Sequence, residues 1–209
     1  MQICFASHNP AKLQRYQNLL KDFKVELLAL SDFNITEKAP EPFTSSQENA
    51  LYKAQTYAKI INMPVLAVDE EMRTNFLPEK LQPGVLVRRL GKALYREPTD
   101  QEVIDYWLQL IESHPHLNPE FYWDFSIVLF DSKSELTHFI TVTQVNEVSS
   151  YVSKEWDSGY PMSTFMRPKG YGKIPCRDIE NPVQIQIEQA NFQPFLTEFP
   201  KWIKSLEEH

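Results

Sequence analysis

Three short polar clusters hold the residue types that can do chemistry in this chain. Ser7-His8-Asn9-Pro10-Ala11-Lys12 lies where an apolar run gives way to a helical pattern. Backbone N–H groups at a helix start, with a lysine one turn in, make an anion site. The other reading is that Asn9 only caps the helix and Lys12 is solvated. In Glu48-Asn49-Ala50-Leu51-Tyr52-Lys53-Ala54, Glu48 can complete a capping box begun by Ser45, or it can serve a ligand. Asn49 and Lys53, four residues apart, can likewise form a solvated face. Asp69-Glu70-Glu71 directly follows the apolar run Val65–Val68. Three successive acids are costly together unless water or a cation neutralises them, so this is a surface loop or a Mg2+ site.

The elements that must position these clusters follow from local patterning. Gln2 to Ala6 reads as a buried strand, and Asn9-Pro10 as a cap with proline at the first helical position. The helix runs through Leu13, Tyr16, Leu19 and Leu20 at helical spacing. Lys24 to Leu30 reads as a strand and Ser31 to Phe43 as a polar loop. The helix opened by Ser45 buries Ala50, Leu51, Ala54, Ala58 and Ile61. Val65–Val68 is a central strand, with the acids at its carboxyl end, where open α/β sheets place ligands. Residues 77–96 give no clear pattern. Asp100 to Ser113 is an amphipathic helix, and Phe121 to Phe130 and Leu136 to Val148 form a hairpin. Residues 156–183 are a loop region, and Phe192 to Leu206 closes as a helix.

Composition sets limits on function. The chain has 209 residues, 42% of them hydrophobic and 23% charged, which suits a single soluble domain over 1–209. A net charge of −7 argues against binding a nucleic acid polymer, although a local basic pocket can still take a small anion. Cys4 and Cys176 lie far apart and outside any metal-ligand spacing, which predicts a reduced, cytoplasmic protein. No signal peptide and no run of about 18 apolar residues is expected, hence no membrane partner. His114-Pro115-His116 lacks metal-ligand spacing, and neither a nucleophile elbow nor a P-loop occurs. Of only 5 glycines, three fall between Gly159 and Gly172, which implies a backbone requirement there.

Taken together, the clusters resemble the inosine triphosphate pyrophosphatase family. That family opens with Ala-Thr/Ser-x-Asn-x-x-Lys, continues with Thr-Phe-x-Glu-Asn-Ala-x-x-Lys-Ala and Leu-Pro-x-x-Ala-Asp-Asp-Ser-Gly-Leu, and then has Pro-Gly. This chain has Ala6 to Lys12, Ser46 to Ala54, Met63 to Met72 and Gln82-Pro83-Gly84 in the same order and register. The resemblance implies an α/β fold: a mixed twisted sheet flanked by helices, with two lobes around a central cleft. It implies hydrolysis of a nucleoside triphosphate to monophosphate and pyrophosphate, by in-line attack of water on the α-phosphorus, in a homodimer using Mg2+ or Mn2+. Carried over by position, Ser7, Asn9, Lys12 and Lys53 meet phosphates, Glu48 and Asp69 hold metal, and Asp69 also serves the attacking water. Lys12 and Lys53 join Asp69 as catalytic residues.

The departures from the family pattern are specific. Its first aspartate is Val68 here, its Ser-Gly is Glu70-Glu71, and its glutamate three places after the first lysine is Arg15. Glu70, or Glu71, is expected to replace the lost metal ligand. In the base-reading half, Trp156-Asp157-Ser158-Gly159-Tyr160 keeps the aromatic-glycine character, so Tyr160 can stack on a base or simply pack in the core. Lys173, in Gly172-Lys173, is a further substrate contact. The family's Ser-His-Arg is absent, and Glu188-Gln189-Ala190-Asn191-Phe192 occupies that region. Altered base choice follows if activity survives. The competing expectation is a non-catalytic descendant that binds a nucleotide or a protein partner.

Overall fold

The computed structural model describes residues 1–90, 96–156 and 159–208. It contains six strands: β1 (Gln2–Phe5), β2 (Glu26–Ala29), β3 (Val65–Thr74), β4 (Glu120–Asp131), β5 (Leu136–Val148) and β6 (Met166–Pro168). The helices are α1 (Pro10–Leu19), α2 (Ser46–Ile61), α3 (Asp100–Glu112), α4 (Asn181–Asn191) and α5 (Gln193–Glu207). The strands form one mixed sheet in the order β2-β1-β3-β4-β5-β6. β1 pairs parallel to β2 and to β3, while β5 and β6 are antiparallel. Only residues 132–135 join β4 to β5, and so short a link permits an antiparallel hairpin but no crossover. The α/β expectation therefore stands.

The chain divides into two compact units. The first comprises 1–70, 125–142 and 188–209; the second comprises 71–124 and 143–187. In the first unit, the alternation of side chains across the strands decides which helix covers which face. Cys4 of β1, Ala6 just after it, and Val65 and Ala67 of β3 pack against Ala50, Ala54 and Ala58 of α2. The opposite face carries Phe5, whose ring lies 5.3 Å from that of Tyr16 on α1. Tyr16 in turn meets Phe192 and Phe195 at the start of α5. The α2 side is thus packed by short alanine side chains, the opposite side by aromatic rings. Burial pushes the Cys4 thiol up to about 12, so it stays a protonated core side chain.

The second unit has its own core. Met72, Phe76, Val103, Ile104, Trp107 and Phe121 pack there with Phe165 and Met166. α3 begins with a full capping box: Thr99 Oγ1 accepts from Glu102 N, and Thr99 N donates to Glu102.

Three expectations are corrected. The central strand does not stop at Val68 but continues to Thr74, so Asp69, Glu70 and Glu71 lie within β3 rather than in a loop after it. The terminal segment contains two helices, since α4 precedes α5 within what reads as loop and helix. Asn49 and Lys53 are buried at 1% and 8% exposure, not a solvated face.

Candidate active site

β3 places Asp69 and Glu70 by simple alternation. The pairing Cys4↔Val65 and Phe5↔Leu66 puts odd-numbered residues of β3 toward α2 and even-numbered ones toward α1. Asp69 therefore points to the α2 side and Glu70 to the α1 side. Each meets the lysine of its own helix. Lys53 Nζ lies 3.1 Å from Asp69 Oδ1, and Lys12 Nζ lies 3.0 Å from Glu70 Oε1.

The Lys53 side is the more complete of the two. Its ammonium donates to Asp69 Oδ1, to the Val68 carbonyl at 2.9 Å and to Glu41 Oε1 at 3.0 Å. An ammonium has three protons, and here each has an acceptor. Burial pushes the Asp69 carboxyl above its ordinary 3.8, while Lys53 pulls it back down. A lysine placed between two carboxylates is thus the local neutralising cation that makes acids in a buried strand tolerable. On the other side, Glu70 Oε1 touches Lys12 but is buried and accepts no hydrogen bond. The contact is an ion pair by distance without hydrogen-bond alignment.

The loop before α1 is built around its cap. Asn9 Oδ1 accepts from Ala11 N at 2.9 Å and Lys12 N at 3.3 Å, and Ser7 Oγ accepts from Asn9 N at 3.2 Å. The Asn9 side-chain oxygen therefore occupies the N–H groups that the sequence offers to an anion. The Ser7 hydroxyl hydrogen, the Asn9 amide hydrogens and Lys12 remain the donors suited to phosphate.

Glu48 stands apart from the two carboxylates. It is exposed in the first turn of α2, where its N–H donates to Ser45 Oγ at 3.4 Å. Among the described residues no group of three or more His, Cys, Asp or Glu side chains could hold a metal ion. Glu48, Asp69 and Glu70 are thus not gathered into one metal-ligand set, because strand alternation separates the last two. Tyr160 and Lys173 belong to the second unit, where Tyr160 is half-buried and Lys173 is exposed. Asp157 and Ser158 of the aromatic-glycine segment lie outside the described residues.

Glu41 is the residue that sequence reasoning missed. Its signal was a lone acid between Pro40 and Pro42 in a loop read only as polar. A second missed contact is Arg15 Nε to Glu188 Oε1 at 3.1 Å, with the Arg15 guanidinium 5.4 Å from the Phe125 ring centroid. Arg15, itself a departure from the family pattern, thus meets an acid from the segment 188–192.

A dITP/XTP pyrophosphatase of Vibrio parahaemolyticus is 34% identical over 114 residues, 54% of this chain and 54% of the relative. Another, from Thermoanaerobacter pseudethanolicus, is 30% identical over 138 residues, 65% of this chain and 66% of its own length. The chain thus spans about half to two thirds of the curated relatives it matches. A HAM1 protein from Coxiella burnetii has the same fold, with a TM-score of 0.74 at 20% identity, covering 96% of this chain and 99% of that one. The profile of the Ham1 family matches residues 3–160, and the chain belongs to that family.

Proposed function

We propose that this protein hydrolyses a nucleoside triphosphate to the monophosphate and pyrophosphate, with Asp69 as its central carboxylate. The observation that carries this reading is the Lys53 ammonium shared by Glu41, the Val68 carbonyl and Asp69. The relatives named dITP/XTP pyrophosphatase support the reaction class. Asp69, with its proton affinity raised by burial, accepts a hydrogen bond from the attacking water and orients it toward the α-phosphorus. The bond to the pyrophosphate leaving group breaks as the bond to water oxygen forms. Lys12 offsets the growing phosphate charge, helped by Ser7 and Asn9 as hydrogen-bond donors. Lys53 fixes Asp69 and Glu41. Tyr160 stacks on the base and Lys173 is a further substrate contact.

Mg2+ takes one or two carboxylates together with water and substrate phosphates, so it needs no all-protein cage. Glu41 and Asp69, already gathered on one cation, fit that donor set, with Glu48 and Glu70 outside it. When bound, the ion supplies charge neutralisation at the phosphate oxygens. The same reading includes a homodimer in the cytoplasm. Among the described residues no helix is long and apolar enough to cross a membrane.

The deciding experiment is pyrophosphate release from dITP, XTP, dUTP and the common triphosphates, with Mg2+ or Mn2+. Turnover of at least one is expected. Binding without turnover of any would establish the non-catalytic alternative instead.

A further inference from the structure

One stripe along α2 holds a strap of chain that runs in the opposite direction. Asn49, Lys53 and Tyr57 are spaced four residues apart on α2. Asn49 clamps Phe43 at both backbone groups: its Oδ1 accepts from Phe43 N and its Nδ2 donates to Phe43 O, each at 3.0 Å. Lys53 holds Glu41 at 3.0 Å. The Tyr57 hydroxyl accepts from Ala39 N at 2.8 Å and donates to Glu37 O at 3.2 Å.

The spacings match for a physical reason. Four helical residues rise about 6 Å, and two residues of polyproline-type chain span about 6 Å. Pro40 and Pro42 favour that extended form around Glu41, and neither has an N–H that needs a partner. Every second strap residue from 43 to 39 therefore comes level with every fourth residue of α2. Burial keeps the Tyr57 phenol protonated, so it can donate and accept at once.

We infer that Asn49 and Tyr57 are positioning residues that hold the strap 37–43 in register on α2, so that the Glu41 carboxylate reaches Lys53 beside Asp69. The inference rests on the proposed use of Glu41 and Asp69 as the metal-binding carboxylates. It goes further in assigning a functional task to two side chains that touch neither substrate nor metal.

The test is Mn2+ titration of the full chain, followed by electron paramagnetic resonance of the free ion, with KM and kcat measured alongside. Tyr57→Phe keeps the ring and removes two strap bonds. It should weaken Mn2+ binding roughly fivefold, the scale of one or two net hydrogen bonds, with kcat at saturating Mn2+ unchanged. Added to Glu41→Gln, it should do nothing more, because the two changes act through one carboxylate. Asn49→Leu should behave alike. Equal weakening in both backgrounds, or none in the parent, overturns the inference while leaving the catalytic reading intact. An unchanged Mn2+ affinity in Glu41→Gln alone instead removes the metal reading, and the inference with it. Should Tyr57→Phe not fold, hydrogen exchange in the parent protein decides: the Ala39 and Phe43 amides must be protected relative to Lys38, and free exchange at both overturns the proposal.

Discussion

The two faces of β3 carry the same pair of groups in different states. On the α2 face Lys53 is saturated, with Asp69, Glu41 and the Val68 carbonyl each taking one proton. On the α1 face Lys12 touches Glu70 without a hydrogen bond at the buried carboxylate oxygen. A saturated buried ion pair is a fixed structural element, and breaking one side leaves an uncompensated charge. A contact by distance alone gives way easily to a better acceptor. On the proposed function, Lys53 holds carboxylates and Lys12 changes partners when a phosphate arrives.

The largest expected effect lies on the saturated face. Asp69→Asn should lower kcat/KM by about a thousandfold or more, the scale of losing a preorganised catalytic group. Its effect on folding runs the other way. The native carboxyl holds its proton more tightly than the unfolded one, so its stabilising contribution is full below the ordinary 3.8 and is lost as pH rises through the raised value. At neutral pH the Asp69 charge is a cost and Glu41 still compensates Lys53 without it, so Asp69→Asn should melt no lower than the parent in a calorimetric scan. Lys53→Met removes the cation that lowers the Asp69 pKa, so the acid limb of the kcat/KM profile should move to higher pH. An unmoved limb would show that Asp69 does not carry it.

The looser face should respond through KM. Lys12→Ala should raise KM for the triphosphate roughly tenfold with a smaller change in kcat, as expected for a charge-assisted contact made in both ground and transition states. Glu70→Gln frees Lys12 from a competing carboxylate and should lower KM by a few fold. A rise in the Mg2+ requirement in that variant would instead return Glu70 to the metal. The smallest effect lies in the second unit. Thr99→Ala should cost about 1 kcal/mol in urea denaturation and leave turnover unchanged. Arg96 and the Thr99 backbone hold the Glu102 carboxyl down to about 2, so this cap's contribution should be present above the ordinary 4.5 and fade as pH falls toward 2.

Local signals made much of the fold legible. Asn9-Pro10 starts α1, the alanine spacing marks the buried face of α2, and the hairpin of β4 and β5 follows from alternation and a short turn. The strand end was misjudged because three acids normally stop a buried strand. Here lysines from two helices neutralise the first two; Lys53 stands 16 residues from Asp69 and Lys12 lies further off still, both beyond the reach of local patterning. α4 was missed because its apolar pattern is weak and only Ile187 is buried.

Sequence alone determined the set of chemical groups: two lysines, an asparagine cap and a run of acids in the order and spacing of one family. Residue types and local spacing are written directly in the chain, and a helix cap needs only near neighbours. Tertiary structure alone decided which acid meets which lysine. A strand sends successive side chains to opposite faces, so a shift of one residue changes the partner helix. It also decided that Glu41, unremarkable in a proline-rich loop, stands beside Lys53 and Asp69. That depends on a strap lying in register along α2, and register between separate segments is fixed by packing and long-range hydrogen bonds.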